Sequence, residues 1–100
     1  MNMTDKEFLK ITKPLVKFFK RNKVKFDVEV NPHCNLHTIY FYFNNKSFKI
    51  VWDEDIFRFM DYVKGGTEGT YKVVYKDQFY IIEEKIIDYI NKLLNYQEYP

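Results

Sequence analysis

Thr38-Ile39-Tyr40-Phe41-Tyr42-Phe43, followed by Asn44-Asn45-Lys46-Ser47 and then Phe48-Lys49-Ile50-Val51-Trp52, is the stretch on which the fold turns. Both flanks are β-branched and aromatic almost throughout, which suits a pleated, half-buried surface. The segment between them suits a turn, because Asn tolerates positive φ. Pairing Phe43 with Phe48 places Phe41 by Ile50 and Ile39 by Trp52, with all six side chains on one core face. Tyr40 and Tyr42 fall on the opposite face.

Upstream, residues 23–30 alternate. Val24, Phe26, Val28 and Val30 point one way and Lys23, Lys25, Asp27 and Glu29 the other, as in a half-buried strand. Asn31 and Pro32 stop it. Residues 4–22 have helical period. Phe8, Ile11, Leu15, Phe18 and Phe19 share one side, and Lys6, Lys10, Lys13, Lys17 and Lys20 the other. Thr4-Asp5-Lys6-Glu7 matches a capping box. Pro14 removes one helical hydrogen bond, but both stripes stay in phase across it, so one kinked helix is expected.

Downstream, Asp53 suits a helix N-cap, and residues 53–64 are expected as a short helix ended by Gly65 or Gly66. Residues 70–75 and 78–82 are expected as a hairpin around Lys76-Asp77. A last helix over 83–96 would bury Ile86, Ile87, Ile90, Leu93 and Leu94. The expected fold is α+β: a mainly antiparallel sheet of about five strands, as two hairpins plus one strand, with three helices in the order α-β-β-β-α-β-β-α.

At 100 residues the chain can bury about two-thirds of its unfolded surface, enough for one modest core. A single globular domain over residues 1–100 is expected. The composition, 46% hydrophobic and 30% charged, argues against disorder. One cysteine excludes an intrachain disulfide framework. No apolar run approaches the ~18 residues of a membrane span, and the N-terminus lacks a signal-peptide pattern. A cytoplasmic setting and no membrane partner are therefore expected. There is no Ala and only two Arg, whereas Lys, Asn, Ile, Phe and Tyr abound. AT-rich codons favour those residues, which points to a low-GC bacterium or to a phage or plasmid living in one.

Charge is one-sided. Residues 1–25 hold eight basic residues against two acidic, a balance of +6. The formal net charge of +2 leaves −4 for residues 26–100. Such asymmetry can mark a surface for a polyanion or an acidic partner, although an exposed helix face carries charge in any case.

Little else suggests chemistry. His33-Cys34-x-x-His37 has metal-type ligands, but only three where a structural zinc site needs four. No second motif supports Cys34 as a nucleophile. Replacing Cys34 or His37 is therefore expected to leave folding nearly intact. Gly65-Gly66-Thr67-Glu68-Gly69 follows a helix instead of opening one, the wrong context for a phosphate loop. Asp53-Glu54-Asp55 lacks calcium-loop spacing, and Glu83-Glu84 suits a helix start. No catalytic residue, metal site or cofactor is expected. Tyr40 and Tyr42, with Tyr71, Tyr75 and Tyr80 in the second hairpin, can form an aromatic patch if the sheet's second face is open.

The expectation is a small non-enzymatic protein that binds another protein through Lys6, Lys10, Lys13, Lys17, Lys20, Tyr40 and Tyr42. Inhibitors encoded by phages or mobile elements against bacterial defences, anti-CRISPR proteins among them, are of this type. The alternative is a nucleic-acid-binding module using the Lys-rich face of the first helix. The scarcity of Arg weighs against that alternative, because bidentate base reading prefers Arg.

Overall fold

A computed structural model of the chain describes residues 5–31, 33, 36–53, 55–63 and 69–97. Helix α1 (Asp5–Arg21) is followed by strands β1 (Lys25–Asn31), β2 (Leu36–Phe43), β3 (Lys46–Asp53), β4 (Ile56–Asp61) and β5 (Thr70–Tyr75). A 3-10 turn (Lys76–Gln78) then leads into helix α2 (Phe79–Gln97). The fold is α+β. The strands form one antiparallel sheet in sequence order, each paired with its neighbour in the chain.

One face of the sheet carries the core. His37, Ile39 and Phe41 of β2, Phe48, Ile50 and Trp52 of β3, Phe57 and Phe59 of β4 and Val74 of β5 are all buried there. Both helices cover this face. Phe8 of α1 stacks on Phe57 with ring centroids 6.2 Å apart. Phe19 lies 4.9 Å from Phe41, and Phe79 of α2 lies 4.6 Å from Phe57.

Helix α1 runs through Pro14 as one element, with Phe8, Thr12, Leu15, Phe18 and Phe19 buried. The Thr12 hydroxyl donates to the Phe8 carbonyl at 2.8 Å, which satisfies it inside the apolar face. The C-terminus closes as a Schellman motif. The Val24 N–H donates to the Phe19 carbonyl at 2.9 Å and the Lys23 N–H to the Lys20 carbonyl at 3.3 Å. Lys23 takes the left-handed conformation, φ 55°, a place usually held by glycine.

The central hairpin keeps its expected faces but not its register. Phe41 pairs with Phe48, Ile39 with Ile50 and His37 with Trp52. The turn is only Asn44-Asn45, both at positive φ (55° and 62°), as a type I′ turn requires. Shortening the expected four-residue turn to two slides the pairing by two residues, so no side chain changes face.

Two elements correct the sequence reading. Residues 53–64 do not form a helix: Asp53 ends β3, and Ile56–Asp61 is β4. Phe57 and Phe59 alternate into the core while Ile56, Arg58 and Met60 face outward, so the period is 2. Residues 78–82 do not form a strand, because α2 starts at Phe79. Phe79, Ile82, Ile86 and Ile90 make one continuous buried stripe, and that 3.6-residue period outweighs the β propensity of Tyr80-Ile81-Ile82. The described residues thus hold two α-helices in the order α-β-β-β-β-β-α, not three. The Thr4 cap, Cys34, Glu54 and the glycines at 65 and 66 lie outside the described residues.

Candidate functional site

Because α1 and α2 share one side of the sheet, no helix among the described residues covers the other side. The register sets out what stands there. Asp27 lies opposite Tyr40, which lies opposite Lys49, and Lys49 opposite Met60. The adjacent row runs Glu29, Thr38, Val51, Arg58 and Val73. Tyr42 sits between Lys25 and Ser47 at the end of the sheet.

Tyr40 and Tyr42 are half-buried and lie on this open face. The Tyr40 ring meets Tyr62 edge-on at 5.3 Å, a favourable geometry for aromatic pairs. The ammonium groups of Lys25 and Lys49 stand 5.7 Å from Tyr42 and 5.8 Å from Tyr62, over their ring faces. Asp27, Glu29, Tyr40, Tyr42 and Tyr62 together line a depression of about 510 Å³. Burial raises the Tyr40 hydroxyl above its usual pKa, and the Glu29 carboxylate adds to the effect, so the phenol stays neutral beside that carboxylate. With Lys25 and Lys49 already over Tyr42 and Tyr62, the Tyr40 ring beside the Asp27 and Glu29 oxygens is the part of the hollow that suits a further guanidinium or ammonium group. At the far end of the same face, Arg58 pairs with Asp53 at 3.1 Å.

The lysines of α1 are elsewhere. Lys6, Lys10, Lys13, Lys17 and Lys20 are all exposed, on the side of the helix turned away from the sheet. They therefore stand on the opposite side of the molecule from Tyr40 and Tyr42, and the two groups do not form one surface. The aromatic patch also loses members. Tyr71 packs against Phe48 and Phe59 on the helix-covered side, and Tyr80 projects from α2. Only Tyr75, paired with Ile56, faces the open side.

His37 is not a free loop residue. It is 1% exposed and its ring stacks on Trp52 at 5.3 Å and packs by Phe8 at 5.1 Å. Nδ1 accepts the Asn31 N–H at 3.2 Å, so the ring proton sits on Nε2, which faces the Asp5 carboxylate at 3.5 Å. Exposed His33 instead donates its backbone N–H to the Asn31 side chain at 3.1 Å. This burial reverses the expectation that His37 can be replaced without consequence for folding. Among the described residues, no group of three or more His, Cys, Asp or Glu side chains gathers as a metal site.

Sequence alone does not mark Asp27, Glu29 or Tyr62 as site residues. Asp27 and Glu29 do alternate onto the solvent side of β1, but only the β1–β2 register places them beside Tyr40. No described helix is long and apolar enough to cross a membrane. Compared with protein-family models, with curated proteins and with solved structures, the chain matches none.

Proposed function

We propose that this chain is a non-enzymatic binding module that holds another protein against the open face of its sheet. Tyr40 and Tyr42 serve as anchors, and Asp27 and Glu29 direct a basic side chain of the partner onto Tyr40. The observation that carries the reading is the helix-free sheet face with its tyrosine and carboxylate hollow. Tyr is favoured at interfaces because it joins a large apolar ring to a polar tip. The proposal extends to the setting. A phage or mobile-element inhibitor acting in a low-GC bacterial cytoplasm fits the short chain, the AT-rich residue usage and the single cysteine.

The test is capture of a partner from nuclease-treated low-GC bacterial lysate by wild type, by Tyr40→Ala/Tyr42→Ala and by Lys10→Glu/Lys13→Glu/Lys17→Glu. Nuclease-resistant capture that the tyrosine variant loses through faster dissociation supports the reading. The lysine variant should change mainly the association rate, because its charges lie on the far side of the sheet. Equal retention by the tyrosine variant rejects it.

A second reading rests on the five exposed α1 lysines, none of which pairs with a carboxylate among the described residues. If α1 lay on nucleic acid and neutralised five phosphates, log affinity would fall with log salt at a slope near −4.5, roughly 500-fold between 50 and 200 mM. Submicromolar binding of random-sequence nucleic acid at 150 mM salt, abolished by the lysine variant, would promote this reading over the first.

A further inference from the structure

On the helix-covered side, and independent of the open-face reading, a cleft of about 470 Å³ opens between α2 and the end of the sheet. That volume lies within the ~300–1,000 Å³ of clefts that bury small ligands. Its floor is Phe48 and Phe59, both buried. Two tyrosines flank the floor. The Tyr71 ring lies 4.9 Å from Phe59, and Tyr89 stands edge-on over Phe48 at 5.8 Å. The Tyr71 hydroxyl donates to the Asp61 carboxylate, which fixes the orientation of that ring.

The charge around these rings is lopsided. Lys46, Lys85 and Lys92 line the cleft with Asp88 as its one carboxylate. No carboxylate among the described residues pairs with any of the three lysines. Lys85, Asp88, Tyr89 and Lys92 recur at three- and four-residue steps along α2, and such residues neighbour one another on one side of a helix. Lys46 comes from the start of β3.

We propose that this cleft binds a free mononucleotide. The base lies against the tyrosine and phenylalanine rings, the phosphate meets the lysines, and Asp88 accepts a hydrogen bond from a ribose hydroxyl or base amino group. Aromatic rings attract any base through its π face, and unpaired ammonium groups supply the phosphate with charge-assisted donors. A neutral aromatic ligand would leave the lysines unused, and a cationic one would be repelled.

Titration calorimetry with AMP and UMP tests this, with adenosine, inorganic phosphate and the oligonucleotide dT15 as companions. Both mononucleotides should bind at least about tenfold more tightly than adenosine or phosphate, because only they engage rings and lysines together. Lys85→Glu/Lys92→Glu, at exposed positions that leave the core untouched, should weaken AMP by about tenfold or more. Lys10→Glu/Lys13→Glu on α1, an equal change in net charge, should leave AMP binding unchanged. Thermal melts confirm that both variants are folded. No heat from either mononucleotide at millimolar concentration overturns the proposal, as does equal binding of adenosine or of phosphate. So does equal weakening by the α1 variant, or dT15 binding that is tighter than that of the mononucleotides and is lost in Lys85→Glu/Lys92→Glu, which would mark the cleft as a groove for a strand.

Discussion

His37→Ala should cost this protein about 3–4 kcal/mol, and the figure can be assembled from its surroundings. The ring is 1% exposed and lies between Phe8 and Trp52. Truncating a buried side chain of that size to Ala costs about 2–5 kcal/mol. We take about 2–3 kcal/mol from that range, because a polar imidazole gains less from burial than a leucine does. The Asn31 N–H then loses its acceptor. It sits in a half-buried place that water can reach, so about 1 kcal/mol applies, the low end for an orphaned group. The Asp5 carboxylate is 46% exposed at 3.5 Å and adds almost nothing after solvent screening. Domains of this size are stable by about 5–15 kcal/mol, so the loss is severe but survivable. Each kcal/mol shifts the unfolding midpoint by about 4–8 °C, giving a drop of about 12–32 °C. His37→Phe keeps ring and stack but not the acceptor, and should cost only about 1 kcal/mol. Urea unfolding and calorimetric melts of the three proteins decide the matter. If His37→Ala melts within a few degrees of wild type, or if His37→Phe is the more damaging, the ring is not the packed acceptor described here.

Three further outcomes are expected. Lys23→Gly should stabilise by about 0.5–1 kcal/mol in urea titration, because glycine occupies the left-handed cap without its Cβ penalty; destabilisation would show that the Schellman cap is not formed. Phe41→Ala should cost about 3–5 kcal/mol by the same measurement, since its ring contacts Phe19, Phe48 and Phe59, and a loss below about 1 kcal/mol would place it outside the core. Tyr71 has its hydroxyl pushed up to about 12, first by burial and then by the Asp61 hydrogen bond. The unfolded chain therefore releases this proton first. Stability present below about pH 10 is lost as pH rises through 12, and Tyr71→Phe should flatten that decline. Identical slopes for the two proteins between pH 9 and 12 would remove Tyr71 from the account.

Where side-chain period was unambiguous, the sequence could be read directly. The apolar and lysine stripes of α1, the inward Ile39 and Phe41, and the outward Tyr40 and Tyr42 all follow from periods of 3.6 or 2. Ile56-Phe57-Arg58-Phe59-Met60 admits both periods, and its acidic start favours a helix although Phe57 and Phe59 alternate. Phe79-Tyr80-Ile81-Ile82 has strand composition, and only its continuation through Ile86 and Ile90 identifies a helix. The burial of His37 follows from its parity with Ile39 and Phe41, although the neighbouring His33 and Cys34 give the segment the look of a metal loop. The two hollows were not legible. One needs the β1–β2 register, and the other joins the start of β3, the end of β4, the start of β5 and the middle of α2, segments with no shared pattern along the chain.

The strictly sequential order of the sheet has a consequence in time. Every strand finds its partner in the next segment to be made, so each hairpin can close within microseconds of its second strand becoming available. Helix α1 is covered in stages: Phe19 meets Phe26 of β1 and Phe41 of β2 early, but its first turn waits longer. The ring that Phe8 stacks on, Phe57, is about fifty residues further along, and at ~5–20 residues per second of synthesis that floor arrives some 2–10 seconds later. For that interval the Phe8 end of the apolar stripe lacks its β4 cover, and the lysines spaced along the other side of α1 help to keep that end dispersed in water.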